Sequence, residues 1–295
     1  MSYISDFVRS QWTKNDASRD EGLSTPDDIL RYDNILYGND RQYQVLDVYR
    51  PKNAAPFLPV IVSVHGGGWV YGTKETYQFY CMSLAQQGFA VVNFSYRLAP
   101  EHKYPASLED TNSVFHWVFA HAKEYGFDIR HIFAVGDSAG AHILGMFCNL
   151  CTNPLYAKKY SFAPPEGFVP NAIAMNCGVY WMSLSDEEDE SLKLMLKDYL
   201  PMQGSESELY NINVISHITS AFPPVFLMTA EDDYLKYGAP VLASKLQECN
   251  VSFIYRCYRA DKYNLGHVFH LNLRQQDARS CNQEEVAFFR RYCKF

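Results

Sequence analysis

The chain has no run of the roughly 18 consecutive apolar residues that a membrane-crossing helix needs. It has no basic surplus either: 26 lysines and arginines stand against 33 acidic residues, for a net charge of −7. An acidic surface repels phosphate backbones and anionic lipid, so nucleic acid and membrane are not expected as partners. No basic region followed by an apolar stretch opens the chain, so no secretory signal is read there. Without one, the eight cysteines fit reduced thiols in a cytoplasm. No second C-x-x-C accompanies Cys148 and Cys151, and the pair falls in an apolar, helix-like run. These two therefore read as buried, inert thiols and not as a zinc or redox site. Internal repeats are absent too. What remains is 47% hydrophobic and 20% charged over 295 residues, ordinary values for one folded, enzyme-sized unit.

Strand-like and helix-like stretches alternate along most of that length, the signature of a mostly parallel sheet with helices on both faces. Ile4, Phe7, Val8 and Trp12 fall at helical spacing, which predicts a helix over 1–12 packed on the protein's own body. Residues 13–28 are polar and read as a linker. Strands are expected at 32–38, 43–49, 59–64, 89–96, 132–135, 171–178, 224–230 and 251–258. Helices are expected near 75–87, 106–124, after 138, and at 283–293. Between the strands at 171–178 and 224–230 lie more residues than a simple crossover needs. There Ser185 and Glu188 have capping-box spacing, and Leu192, Met195, Leu196, Tyr199 and Leu200 form an apolar face. The expected organisation is one α/β domain over 1–295. Residues 1–28 and a helical insertion at 183–218 would form a small cap over its sheet.

Two glycine motifs carry the chemistry. Gly136-Asp137-Ser138-Ala139-Gly140 follows a short apolar strand and precedes a helix. A serine on such a turn needs small neighbours, because its backbone is strained and the flanking chains crowd it. The turn would lift the Ser138 hydroxyl off the sheet and leave the Ala139 N–H at a helix start, able to bind a developing oxyanion. His65-Gly66-Gly67-Gly68-Trp69 ends another strand. Consecutive glycines let backbone N–H groups face a cavity without side-chain obstruction, and Gly67 and Gly68 are the expected donors. No Gly-Lys-Ser/Thr follows, which excludes a phosphate-binding P-loop. His65 reads as a residue that holds this loop.

These two motifs, with Tyr96-Arg97-Leu98-Ala99-Pro100-Glu101 between them, resemble the hormone-sensitive-lipase-like esterases in order and spacing. The resemblance covers about residues 45 to 295. It implies an α/β-hydrolase fold, a helical cap, a Ser-Asp-His triad and no metal or organic cofactor. In that family an Asp followed by x-Leu comes after a late strand, which matches Asp233, with Asp232 as its rival. A His-x-Phe matches His267, with His270 as its rival. Two positions depart from the family pattern: Tyr234 stands where a proline usually follows the Asp, and His142 lies near where many relatives have a second glycine.

The expected activity is hydrolysis of short acyl esters, acetyl above all, through an acyl-enzyme on Ser138, with acetylated carbohydrates as a candidate substrate. Formyl-amide hydrolysis on the same triad is the alternative, and a non-catalytic ligand-binding receptor a remoter one. Trp69, Tyr71, Tyr180 and Trp181 fall at strand ends near the expected pocket and are candidate substrate contacts. The expected partner is a small-molecule ester, with self-association as a homodimer left open.

Overall fold

In the computed structural model, which describes residues 2–182, 184 and 190–293, the chain forms one twisted sheet of eight strands clad by helices. The elements up to the sheet's centre are α1 (Tyr3–Asp20), β1 (Ile29–Leu36), β2 (Val45–Pro51), β3 (Leu58–Val64), α2 (Lys74–Ala85), β4 (Ala90–Phe94), α3 (Ala106–Ala120), α4 (Ala122–Tyr125) and β5 (Phe127–Asp137). There follow α5 (Ala139–Thr152), α6 (Pro154–Ala157), β6 (Ala172–Asn176), α7 (Glu190–Tyr199), α8 (Glu206–Ile212), α9 (Val214–His217), β7 (Val225–Ala230), α10 (Gly238–Glu248), β8 (Phe253–Tyr258) and α11 (Gln276–Arg290). The strand order is β1-β2-β4-β3-β5-β6-β7-β8. Only the β1–β2 and β2–β4 pairings are antiparallel. From β4 through β8 the strands run parallel.

Parallel strands covered on both faces read as continuous apolar runs. In β3, Val60, Val62 and Val64 face one apolar layer with α3, α5 and α10, while Ile61 faces the other, with α2 and α11. The active end of such a sheet is the carboxyl end of its strands. The glycine loop after β3, Ser138 after β5, Asp233 after β7 and His267 after β8 all gather there.

Several expected boundaries are corrected. The first helix runs to Asp20, through residues that read as a linker. Its polar half is held by distant partners: Arg19 donates to the Thr76 carbonyl at 2.6 Å, and the Tyr71 hydroxyl donates to Asp16 at 2.8 Å. The last helix begins at Gln276, seven residues early, because its buried face includes Asn282 and Glu285 and so hides its apolar period. The helix expected at 106–124 breaks at His121 into α3 and α4. The Ser185–Glu188 capping box lies outside the described residues. Cys148 and Cys151 lie in α5 as free thiols. α1 packs against α7, where the Ser2 and Ser5 hydroxyls donate to Asp198. No helix of the described residues is long and apolar enough to cross a membrane.

Candidate active site

Ser138 sits between β5 and α5 with φ 50° and ψ −120°, a conformation that side chains rarely adopt. Its neighbours explain how it is held. A Cβ on Gly136 would meet the Gly140 carbonyl oxygen at 2.6 Å, and one on Gly140 would meet the Val64 carbonyl oxygen at 2.1 Å. Only glycine lets the strand, the helix and β3 approach this closely. The Ser138 amide donates to the Asn176 carbonyl at 3.0 Å, tying the turn to β6.

Asp233 and His267 come from different loops and meet at 2.8 Å, Nδ1 to carboxylate. The Asp233 carboxylate also accepts the Thr229 hydroxyl at 2.8 Å and the Leu235 amide at 3.0 Å. Burial raises its pKa, but the hydrogen bond and charge of His267, with these two donors, outweigh burial and hold it below the ordinary carboxylate value. Asp232 instead binds backbone: its carboxylate accepts the Leu265 amide at 3.0 Å. His270 is buried behind the site, edge-on to Tyr80 at 5.2 Å and 3.9 Å from Asp137. Burial lowers its pKa to about 3, so it stays neutral. Of the paired candidates, Asp233 and His267 are the two that meet.

Ser138 and His267 line one cavity of about 490 Å³, together with Gly66, Gly67, Tyr71 and Tyr77. That volume suits a small-molecule site. Gly67 and Gly68 have φ of 119° and 57°. Among the described residues, neither of their amides donates a hydrogen bond within the protein. Gly68 itself lies against Trp12 and Met195. Ala139 begins α5, beside the serine. His65 stacks on Tyr96 at 4.0 Å, and the Tyr96 hydroxyl donates to the His65 carbonyl at 2.9 Å. That is a loop-holding arrangement, which also explains the tyrosine of the middle motif.

Of the four aromatic residues expected at the pocket, only Tyr71 lines it. Trp69 is buried, stacked on Tyr199 at 5.0 Å, with its indole N–H donating to His142 Nδ1 at 3.1 Å. Tyr180 is buried, its hydroxyl donating to the Met175 carbonyl at 3.1 Å. Trp181 is 58% exposed and lies outside the cavity. Strand-end position places a residue near the site, but side-chain direction decides whether it faces the cavity.

Sequence reading missed the wall that α1 contributes: Trp12, Asn15, Asp16 and Arg19. Asn264, Asn272 and Gln275 line the cavity as well. The Asp16–Arg19 spacing, which gives a 2.9 Å ion pair one helical turn apart, was the available signal that the helix continues. Tyr234, at the expected proline position, lies 4.6 Å from the His267 ring and also lines the cavity.

Among the described residues, one group of donors is close enough to share a cation: Cys177, Asp233 and His267, within 4.8 Å of one another. The Asp233 hydrogen bond already occupies His267 Nδ1, and burial pushes the Cys177 thiol well up, away from the thiolate a metal needs. The trio is better suited to hydrogen bonding than to metal ligation.

A family model described as alpha/beta hydrolase fold matches residues 61–271. Carboxylesterase NlhH of Mycobacterium tuberculosis is 38% identical over 248 residues, 78% of this chain and 75% of that protein. The versiconal hemiacetal acetate esterase of Dothistroma septosporum is 27% identical over 218 residues, 69% of this chain and 65% of that protein. Among solved structures, esterase B from Lactobacillus rhamnosis superposes with a TM-score of 0.88 at 23% identity, covering 99% of this chain and 97% of that one.

Proposed function

This chain belongs to the hormone-sensitive-lipase-like carboxylic ester hydrolases of the alpha/beta hydrolase fold, and from that premise we propose that it cleaves short-chain acyl esters, acetyl esters above all, through an acyl-enzyme on Ser138. The observation that carries this reading is the 2.8 Å Asp233–His267 pair opening onto the same cavity as a strained serine.

In this mechanism the Ser138 hydroxyl attacks the acyl carbon while His267 Nε2 takes its proton. The carbonyl π electrons move to oxygen, and the amides of Gly67, Gly68 and Ala139 bind the resulting oxyanion. Asp233 holds Nδ1 protonated, so that Nε2 is free to accept, and stabilises the imidazolium that forms. The tetrahedral intermediate collapses and expels the alcohol, which takes the proton from His267. Water, deprotonated by His267, then attacks the acyl-enzyme and releases the acid and Ser138.

Two features support the finer reading of the substrate. One relative is named for its action on an acetate ester. The cavity lining also includes Asn15, Asn264, Asn272 and Gln275 beside the rings of Trp12, Tyr71 and Tyr234, a mixture of polar groups and aromatic faces that can take a hydroxyl-bearing alcohol such as an acetylated sugar.

A fluorophosphonate probe followed by peptide mass spectrometry tests the assignment. Modification at Ser138 alone, lost together with esterase activity in Ser138→Ala, is expected. Modification at another serine, or an active Ser138→Ala enzyme, would overturn it.

A further inference from the structure

The loop that carries Gly67 and Gly68 is fixed on both sides to the segment that carries Ser138. On the near side, the Gly66 amide donates to the Tyr77 hydroxyl at 2.9 Å. That hydroxyl in turn donates to the Asp137 carboxylate, 2.8 Å from each oxygen. Gly66 immediately precedes the two glycines, and Asp137 immediately precedes the serine. On the far side, Trp69 immediately follows the two glycines. Its indole N–H reaches His142 Nδ1 at 3.1 Å, one turn of α5 beyond Ser138. The other nitrogen of His142 lies 2.8 Å from the Ile212 carbonyl, which can only accept. The imidazole is therefore the neutral Nε2–H tautomer, accepting from Trp69 and donating to Ile212. Trp69 keeps a φ of 64°, unfavourable for a side-chain-bearing residue.

We propose that Tyr77 and His142 are positioning residues that together set the Gly67 and Gly68 amides against Ser138 for oxyanion binding. The inference rests on the esterase reading above. A run of three glycines has more backbone freedom than any other tripeptide, and that freedom is harmful where donors must sit within a few tenths of an ångström of a developing charge. Each staple uses a side chain that is both donor and acceptor; Asp137, Trp69 and His142 are almost wholly enclosed and Tyr77 is buried at the cavity wall, which limits competition from water for their bonds. Both staples end on residues flanking the nucleophile, not elsewhere in the core. Any shift of the serine turn therefore carries the amides with it.

The test compares Tyr77→Phe, His142→Ala and His142→Gln by steady-state kinetics, with active sites counted by phosphonate titration. A trifluoromethyl ketone serves as the oxyanion-forming inhibitor. Tyr77→Phe and His142→Ala are expected to lower kcat per titrated site roughly 10- to 100-fold, the scale of a misplaced oxyanion donor. KM should stay within about threefold, and ketone affinity should fall by the same factor as kcat/KM. His142→Gln, whose amide can both accept from Trp69 and donate to Ile212, should recover most of the loss. If Tyr77→Phe does not fold, Trp69→Phe, which removes the indole donor to His142 and shortens the ring while keeping an aromatic face for Tyr199, carries the same kinetic test. Wild-type kcat and ketone affinity per site, with only a lowered Tm, would overturn the proposal. So would a rise in KM at constant kcat. Failure of the wild-type enzyme to titrate at Ser138 would instead overturn the esterase reading, and shows before any variant is made.

Discussion

Asp232 and Leu265 hold each other by two reciprocal bonds: the Leu265 amide donates to the Asp232 carboxylate at 3.0 Å, and the Asp232 amide donates to the Leu265 carbonyl at 3.2 Å. This clamp joins the loop after β7 to the loop after β8. Asp233 is the next residue on one loop and His267 lies two residues along the other, so the clamp sets the distance between them.

The two neighbouring aspartates should therefore separate cleanly on substitution. Asp233→Asn leaves the shape but favours the wrong imidazole tautomer, and kcat should fall by about 10⁴. Asp232→Asn retains an acceptor for the Leu265 amide and should stay within roughly tenfold of wild type. Steady-state kinetics on one activated ester compares them. The reverse order of effects would move the acid to Asp232.

The histidines should separate in the same way. His267→Ala should lose nearly all activity, whereas His270→Ala, emptying a buried position behind the site, should lower stability by about 1–3 kcal/mol and keep substantial kcat per folded enzyme. Urea unfolding and kinetics on the same preparations decide this.

Glu285 predicts a pH effect on stability. Fully buried, it accepts the Tyr80 hydroxyl and the Asn176 side-chain amide, each at 2.7 Å. Burial raises its pKa from 4.5 to about 7. Between those values the folded protein holds a proton that the unfolded chain has released. The contribution is therefore fully present below pH 4.5 and is lost as pH rises through 7. Measured against Glu285→Gln, the wild type should gain stability between pH 8 and pH 5, by at most on the order of 3 kcal/mol. Urea melts of both proteins at the two pH values give the difference. A wild-type-minus-variant stability difference that stays constant, or that becomes less favourable to the wild type on acidification, would contradict it.

On p-nitrophenyl esters, kcat/KM should be greatest for acyl chains of about two to four carbons and fall by about eight to ten, because a bounded site gains nothing from methylenes beyond its depth. A maximum at eight carbons or more, or activation at an oil–water interface, would refute the short-chain reading. Tyr180 and Trp181 lie outside the cavity wall and do not set its depth.

What the sequence determined by itself is what contiguous residues can specify. The glycines at 136 and 140 are demanded by close backbone approach within a few residues of Ser138, so the nucleophile turn could be read from five letters. The apolar runs that build the parallel sheet were legible for the same local reason, as were the strand-end positions of Gly67, Asp233 and His267. Tertiary structure decided what depends on distant partners. Whether Asp232 or Asp233 meets the imidazole depends on a backbone clamp to Leu265, 33 positions away. The polar half of α1 is helical and lines the cavity because Tyr71 and Thr76 take up its side chains. Trp69 and Tyr180 turn away from the cavity because Tyr199, His142 and the Met175 carbonyl offer buried stacking and hydrogen bonds. Local sterics fix the backbone from neighbouring residues, whereas the direction of a buried polar or aromatic side chain is set by whichever partner folding brings within reach.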